Sequence, residues 1–392
     1  MSWRPVLEGA DAQRATDAAQ RLGSRLAGAQ GADGPGIADR SGSAALLCAQ
    51  LDQAFPGQGW DAAGHAQLAA SAQVLEQGAA GLGLFQGAAG VGFAAASLAA
   101  GRPRYERLLA GVDAVIVRGA EATCARLAGA AGLPAHAWDL ISGLTGVGAY
   151  LLGRPDARAA LEQVLATLVA LSADADGRPG WWTPHDALHE DMRPEFPDGN
   201  VNCGVAHGVA GPLALWALAA RAGIEVEGQA EATARVGAWL AAQAHDGPWG
   251  PLWPAAVAAT SDPPVPFVDV RPGWCYGNAG VGRALALAGR PEGGAAALRA
   301  GLRRQEHAAP LDEPILCHGT AGLAHVGLRM AADSGDAEIA AASRRLCLEL
   351  VDRTGEVDDD PGLLTGAAGV ALVLLAAATP VEPAWDRALL LA

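Results

Sequence analysis

The 392-residue sequence contains no lysine, and all 27 of its basic residues are arginine. These are outnumbered by 42 acidic residues, which gives a net charge of −15. A surface this negative repels phosphate backbones, so we expect no nucleic-acid partner. Charged residues make up only 18% of the chain and hydrophobic residues 51%. This balance excludes intrinsic disorder and predicts a large buried core.

Long hydrophobic runs and secretion signals are also missing. The longest apolar run, Gly369–Thr379, is much shorter than the roughly 20 residues that a membrane helix needs. No basic segment followed by an apolar stretch marks the N-terminus as a signal peptide. We therefore expect a soluble, cytoplasmic protein with no membrane insertion. In that compartment six scattered cysteines do not indicate a disulfide framework.

One short phrase recurs through the chain, Gly-x-x-Gly followed by an apolar run. Successive copies begin 42 to 69 residues apart, and such self-similarity indicates a repeat architecture. A degenerate copy around Ser41-Gly42-Ser43, interpreted as lacking the second glycine, brings the number of units to seven. The six clear copies begin at Gly87, Gly143, Gly208, Gly277, Gly319 and Gly366.

Two kinds of helix alternate around these turns. Stretches directly after a glycine turn, such as Pro212–Ala220 and Val370–Ala378, are apolar on nearly all sides, which is typical of buried helices. The segments between them are amphipathic, as in Ala159–Leu171. Repeated helix pairs form either an open solenoid or a closed ring, and the inner helices have too little polarity to line an open groove. The sequence therefore predicts an all-α fold, a seven-fold (α/α) toroid of inner and outer helices.

Two irregular stretches interrupt the repeat, at about residues 176–202 and 246–272. Both are rich in proline, tryptophan or acidic residues, and we interpret them as loops over one end of the barrel. We therefore expect residues 1–392 to form a single domain with two loop insertions.

Histidine and cysteine residues stand beside the glycine turns of three consecutive units. Because a slot repeated around a ring brings its side chains together, we expect Cys275, Cys317 and His318 to meet. Two thiols and an imidazole suit Zn²⁺. Three protein ligands leave an open coordination position, which is typical of a catalytic site. The three turns read Ala206-His207-Gly208, Trp274-Cys275-Tyr276-Gly277 and Cys317-His318-Gly319.

Other histidines and cysteines are weaker candidates. His185 and His189 have the i, i+4 spacing of a zinc-binding helix but lie between prolines in a loop. His325 is expected to be a hydrogen-bonded core histidine, and Cys203, close to His207, stays open. Packing is the expected role of Cys48, Cys124 and Cys347.

These turns resemble the LanC family of lanthionine synthetases. The resemblance rests on Trp-Cys-Tyr-Gly at 274–277, Cys-His-Gly at 317–319 and Ala-His-Gly at 206–208, and the glycine phrases extend it over essentially the whole chain. It implies a zinc-dependent cyclase, which adds peptide cysteine thiols to dehydroalanine or dehydrobutyrine and forms (methyl)lanthionine rings. The implied substrate is a dehydrated precursor peptide, and a lanthipeptide dehydratase and an exporter are candidate partners.

The resemblance also implies roles for individual residues. By this resemblance, Cys275, Cys317 and His318 are expected to bind Zn²⁺. The reaction site is expected to be lined by His207, Asp139, Tyr276 and Arg271. Among these, His207 is the expected proton donor or acceptor, and Asp139 is expected to orient it. Arg271 and Tyr276 are expected to stabilise the enolate oxygen or to position a peptide carbonyl.

Three alternatives remain open from the sequence. The protein could be a LanC-like zinc protein that binds or adds glutathione or other thiols without a dedicated precursor peptide. It could also be a helical-repeat scaffold with a degenerate site, against which the intact ligand trio argues. An α/α-barrel glycosidase would need an acidic pair at the mouth, and Asp139 is the one carboxylate found in phase with the turns.

Overall fold

The computed structural model describes residues 3–28, 33–78, 80–175, 177–259, 266–267, 272–308, 311–357 and 360–392. Within these ranges the chain forms fourteen α-helices and seven short strands. None of the helices in these ranges is both long enough and apolar enough to cross a membrane.

Seven helices begin at the glycine turns, and most of their residues are buried. In the last of them every residue from Ala367 to Ala377 is buried, as the absence of a polar face in the sequence predicts. These helices are α2 (Arg40–Ala54), α4 (Ala88–Ala99), α6 (Leu144–Leu151), α8 (Ala210–Arg221), α10 (Asn278–Leu287), α12 (Thr320–Ser334) and α14 (Ala367–Ala378).

The helices between them are amphipathic. In the helix that spans Arg158–Leu171 the buried residues include Leu161, Val164, Leu165 and Leu168, which is the face that the periodicity predicts. The seven helices of this kind are α1 (Gly9–Gly28), α3 (Trp60–Glu76), α5 (Glu106–Leu127), α7 (Arg158–Leu171), α9 (Gln229–Ala242), α11 (Pro291–His307) and α13 (Ala337–Asp352).

The strands lie within the two irregular stretches or directly beside them. Two antiparallel hairpins form, one from β1 and β2 and one from β4 and β5. Strand β3, in the first stretch, pairs with β6 in the second, and β6 pairs with β7. The stretches expected to be loops therefore share a small antiparallel sheet. The strands are β1 (Asp174–Ala175), β2 (Arg178–Pro179), β3 (Asn200–Asn202), β4 (His245–Gly247), β5 (Gly250–Leu252), β6 (Ala256–Ala258) and β7 (Pro266–Phe267).

The chain divides into two compact units. The first comprises Met1–Val115 and Ala309–Ala392, and in it α1 packs on α14, α2 on α3 and α4, and α12 on α13. The second comprises Ile116–Ala308, and in it α6 packs on α7 and α8, and α10 on α8 and α11. Each unit thus contains alternating apolar and amphipathic helices.

In four of the phrases, a close approach within the turn requires the second glycine, which is Gly90, Gly211, Gly280 or Gly369. A Cβ atom on Gly90 would overlap with the carbonyl oxygen of Leu84, and one on Gly280 would overlap with that of Trp274. Gly42 stands in the same relation to the carbonyl oxygen of Gly36. The first unit of the repeat therefore keeps the second glycine and lacks the first, which corrects the interpretation of Ser41-Gly42-Ser43. Asp39 is the N-cap of α2 at the position of the missing glycine.

Neighbouring turns within each unit are joined by backbone hydrogen bonds. Because the donors and acceptors are main-chain groups, the link does not depend on which side chain occupies the turn. The bonds run from the N–H groups of Ala38 and Cys317 to the carbonyls of Phe85 and Leu364 (2.9 and 2.8 Å), and from those of Leu140 and Val205 to the carbonyls of Ala206 and Cys275 (3.2 and 2.9 Å).

A buried charged cluster ties α12 to the C-terminal segment of the first unit. The fully buried carboxylate of Asp386 accepts hydrogen bonds from Arg329 Nη2 (2.9 Å) and His325 Nε2 (2.8 Å). His325 is thus a partnered core histidine, as expected. Burial alone would raise the pKa of Asp386, but the Arg329 guanidinium and the His325 hydrogen bond more than offset it and hold that pKa below its ordinary value. The cluster therefore contains an ionised carboxylate in the core.

We expect Asp386→Ala to lower the free energy of unfolding by about 3–5 kcal/mol, because it leaves the Arg329 charge buried without its main partner. Denaturant unfolding at neutral pH measures this change. Asp352→Ala is the control, since its ion pair with Arg14 is exposed and such pairs contribute little. The contribution of Asp386 should be present above the pKa of an unfolded aspartate, about 3.9, and should fall as the pH drops through the lowered native value. Equal effects of the two substitutions would contradict this account.

Candidate active site

The turn before α12 carries two of the expected metal ligands. The N–H groups of Leu316 and Cys317 both donate to the carbonyl of Leu364 (3.1 and 2.8 Å), and Gly319 is the N-cap of the helix. A Cβ on Gly319 would overlap with the carbonyl of Glu313, so the chain folds tightly back on itself here. Cys317 and His318 are half-buried at this turn. Their positions are therefore fixed by the backbone.

Glu313 fixes the imidazole of His318. Its Oε2 atom lies 3.0 Å from His318 Nε2, and a carboxylate accepts the proton of an imidazole N–H. This contact leaves Nδ1 as the ring nitrogen for a metal ion. A metal-binding histidine commonly donates its other N–H to a carboxylate in this way, which sets its tautomer and orientation. The sequence analysis did not single out Glu313, although an acid five residues before the histidine in the same turn was a usable signal.

The third expected ligand, Cys275, lies in the turn before α10. Its side chain is buried, and its carbonyl accepts hydrogen bonds from the N–H groups of Val205 (2.9 Å) and Ala206 (3.4 Å). The following Gly277 has φ of 85°, a conformation that favours glycine. Because Ala206 precedes His207 directly, these bonds fix the Cys275 turn to the turn of the expected acid–base residue.

The sulfur atoms of Cys275 and Cys317 and one ring nitrogen of His318 all lie within 4.8 Å of one another. Over the described ranges, no other set of three histidine, cysteine or acidic side chains could hold a metal ion in this way. Two thiolates and an imidazole are a ligand set that Zn²⁺ accepts, so the residues fit this ion. The arrangement is a possible Cys₂His metal site, as the sequence analysis expected.

The remaining cysteines differ in their environment. Burial raises the pKa of Cys48, Cys203 and Cys347 to about 12, so these thiols are protonated at neutral pH. Burial also raises the pKa of Cys124. A thiolate is the form that binds metals and attacks electrophiles. Burial of this kind agrees with the packing role expected of Cys48, Cys124 and Cys347, and Cys203 is buried in the same way.

Asp139 and His207 form an acid–imidazole pair in which the acid is buried. The Oδ1 atom of Asp139 accepts hydrogen bonds from the N–H groups of Ser142 (2.7 Å) and Gly143 (2.9 Å) at the start of α6. Its Oδ2 atom lies 2.6 Å from His207 Nδ1. Asp139 is fully buried, whereas 43% of the His207 side chain is exposed. The carboxylate thus stabilises its own turn and orients the imidazole.

The pair fixes the tautomer of His207. An ionised carboxylate only accepts hydrogen bonds, so the proton of the neutral imidazole is on Nδ1. Nε2 then carries the lone pair on the ring edge away from Asp139. A group held in this way can accept a proton at Nε2 and return it, which is the work of a general acid–base residue.

Tyr276 lies beside His207. Their ring centroids are 6.5 Å apart and the rings are inclined by 33°. The Tyr276 hydroxyl accepts a hydrogen bond from Asn202 Nδ2 (3.1 Å), a residue that the sequence analysis did not single out. The structure therefore brings Asp139, His207 and Tyr276 together with the Cys275 turn in the second unit. Arg271, the fourth expected residue, lies outside the described residues.

The alternative histidine pair is not part of this arrangement. His185 Nδ1 lies 3.1 Å from the carbonyl of Phe196. His189 forms an exposed ion pair with Asp191 at 3.2 Å. Both contacts are ordinary loop contacts. The sequence analysis likewise treats the two histidines as weaker candidates for a metal site.

Comparison with known proteins identifies the class. A sequence model of the family described as "Lanthionine synthetase C-like protein" matches residues 40–390, and the chain therefore belongs to this family. Among solved structures, nisin cyclase is similar to it with a TM-score of 0.82, covering 97% of each chain at 18% sequence identity. This likeness confirms the expected all-α, (α/α)-toroid fold. No curated sequence gives a significant match.

We expect Asp139→Asn to move the proton of the neutral His207 imidazole from Nδ1 to Nε2. The new amide can still accept from Ser142 and Gly143, but it presents N–H to His207 instead of a carboxylate oxygen. The ¹⁵N shifts of histidine-labelled protein, with His207 assigned by its loss in His207→Asn, measure the tautomer. The exposed Asp156→Asn is the control and should leave it unchanged. An unchanged tautomer in Asp139→Asn would show that another contact orients the ring.

Proposed function

We propose that the protein is a zinc-dependent lanthionine synthetase. The reaction is the addition of a peptide cysteine thiol to dehydroalanine or dehydrobutyrine in the same peptide, which forms a (methyl)lanthionine thioether ring. The observation that carries this proposal is the convergence of Cys275, Cys317 and His318 in a member of the lanthionine synthetase C-like family. The structural likeness to nisin cyclase supports a peptide as the substrate.

Cys275 and Cys317 would hold the ion through their sulfurs, and His318 through Nδ1. Bound Zn²⁺ supplies acidification of a coordinated substrate thiol, whose ordinary pKa is about 8.5. Glu313 fixes the ring of His318 through Nε2, so one ligand is already oriented before a metal ion binds.

His207 handles the proton of the reaction. The new C–S bond forms at Cβ of the dehydro residue while the π electrons of its C=C bond move to the enolate, and Cα then takes a proton. The proton lost by the thiol equals the proton gained at Cα, so no net acid or base is consumed. Nε2 of His207 can accept the first proton and deliver the second. Asp139 stabilises the imidazolium between these steps.

Tyr276 and Arg271 are proposed to act on the carbonyl side. The developing enolate oxygen needs hydrogen-bond donors where its charge appears. The phenol of Tyr276 lies beside the imidazole of His207, close to where the proton is transferred. The Arg271 guanidinium would supply a charge-assisted hydrogen bond to the same oxygen or to a neighbouring peptide carbonyl.

The substrate is proposed to be a dehydrated precursor peptide, with a lanthipeptide dehydratase and an exporter as candidate partners. The sequence identity to nisin cyclase is only 18%, so a second candidate function is considered. It is the addition of glutathione or another small thiol to dehydro residues. Both activities would use the same ligand set and the same acid–base pair. They differ in which thiol is consumed.

We expect Cys317→Ala to lose stoichiometric zinc and cyclase activity together, because it removes one of three ligands. Elemental analysis of the purified protein measures the metal. Cys347→Ala is the matched control, since it deletes a buried thiol of α13 and should keep about one equivalent of zinc. Retention of the metal by Cys317→Ala would contradict the ligand assignment.

The activity assay uses a dehydrated peptide with one cysteine. Cyclisation leaves the peptide mass unchanged, so the remaining thiol is counted by alkylation and mass spectrometry, with a no-enzyme control for spontaneous closure. With enzyme and no chelator, cyclisation should consume the thiol, so little alkylated peptide should form. With enzyme and chelator, the thiol should remain and be alkylated. If the peptide thiol persists while added glutathione is incorporated, the second candidate replaces the first.

We expect His207→Asn to keep its zinc and lose about 10²–10⁴-fold in the rate of cyclisation, since general acid–base catalysis contributes this much. Elemental analysis and the alkylation assay give the two readouts on one sample. Zinc loss in this variant would recast His207 as a structural residue.

A further inference from the structure

The turn that carries Cys317 and His318, here called the ligand turn (residues 313–320), is closed at its base by a main-chain bond. The N–H of Thr320, the first residue of α12, donates to the carbonyl of Glu313 (3.0 Å). Glu313 is also the residue whose carboxylate lies 3.0 Å from His318 Nε2. A group that fixes both ends of this turn therefore fixes the two ligands and the acid that orients one of them.

Arg353 contacts the chain on both sides of the ligand turn. It follows α13 directly, and 19% of its side chain is exposed. On the entering side its guanidinium donates to the carbonyls of Leu311 (from Nη1, 3.3 Å) and Asp312 (from Nη2). On the leaving side Nη1 lies 3.4 Å from the hydroxyl oxygen of Thr320, a fully buried residue. Arg353 thus joins the two ends of the turn across its base.

Two glutamates outside the ligand turn hold the guanidinium in this orientation. Glu349, four residues earlier in α13, accepts a hydrogen bond from Nη1 (2.9 Å). Glu356 accepts from both Nε (3.0 Å) and Nη2 (2.9 Å), which is the bidentate contact that the planar guanidinium fork favours. All three nitrogens of Arg353 therefore donate to acceptors. A lysine has a single nitrogen, so it could not reach the same set of groups.

We propose that Arg353 is a positioning residue for the metal site, which clamps the base of the ligand turn so that Cys317 and His318 are in place before an ion binds. For the identity of the ion, Zn²⁺, this inference rests on the proposed function. A turn that is already ordered loses less conformational entropy on binding, so the affinity for the ion is higher. The orientation of His318 by Glu313 is one half of this support, and the clamp by Arg353 is the other.

Two variants test the clamp without changing a ligand. Arg353→Lys keeps the positive charge but offers one nitrogen, so it does not hold both ends of the ligand turn. Glu356→Gln keeps Arg353 and weakens the bidentate pair that orients it, at a side chain that is 51% exposed. Matched controls make the same kinds of change in the exposed ion pair of Arg14 with Asp352, as Arg14→Lys and Asp352→Asn.

The main readout is the zinc dissociation constant of the folded protein, measured by competition with a chromophoric chelator in the absence of peptide. We expect zinc binding to weaken about tenfold in Arg353→Lys and about threefold in Glu356→Gln, because loss of an outer partner of a metal ligand costs about 10–100-fold. Both controls should bind zinc as the wild type does. A merely structural role predicts a lower free energy of unfolding with an unchanged dissociation constant. That result, or equal weakening in the controls, would overturn the proposal.

A second readout needs no metal. The N–H of Cys317 donates to the carbonyl of Leu364 (2.8 Å), and its hydrogen exchange in chelator-treated protein reports how often the ligand turn opens. Exchange should be faster in Arg353→Lys than in Arg14→Lys. Equal exchange in these two variants would overturn the clamp and leave the proposed function standing. Faster exchange and weaker zinc binding, in a protein whose wild type does not cyclise dehydrated peptides, would sink the proposed function and keep the clamp.

Discussion

The backbone hydrogen bonds between neighbouring glycine turns are the constraint on which the site depends. They bring turns that are distant in sequence to within one hydrogen-bond length, as between Val205 and Cys275. The approach is possible because glycine leaves room for the carbonyl oxygens of the neighbouring turn, as at Gly204 beside the carbonyl of Cys275. Since these bonds use main-chain groups alone, the side chains beside the turns are open to vary. Chemistry can therefore be added at a turn without disturbing the link.

The site is built from turns whose residues have two tasks. Asp139 accepts the N–H groups at the start of α6 with one oxygen and orients His207 with the other. Glu313 belongs to the turn that carries His318 and holds its ring. The imidazoles of His207 and His318 are thus oriented by acidic residues that belong to the turns at the helix starts. Little additional structure is required to preorganise them.

Much of this arrangement could be predicted from the sequence, because it follows from residue type and repeat phase. The alternating helices, the buried face of Ala159–Leu171 and the meeting of Cys275, Cys317 and His318 all follow from periodicity. The contacts of Glu313 and Asn202 could not be predicted, since they depend on side-chain direction within irregular turns. The pairing of β3 with β6 joins stretches that carry no periodic signal. The sequence alone does not show whether Gly42 is the first or the second glycine of its phrase. Its close approach to the carbonyl of Gly36 identifies it as the second.

Asp139 uses its two carboxylate oxygens for different hydrogen bonds. This has a consequence for how related sequences are interpreted. A descendant that had abandoned its chemistry would still need an acceptor for the two amides at the head of α6, so selection for folding alone would preserve this aspartate. The imidazole of His207 is partly exposed and satisfies no backbone N–H group at a helix start. Selection for folding alone would therefore not prevent its substitution. The histidine is therefore the better marker of a surviving enzyme, and the aspartate marks only an inherited architecture.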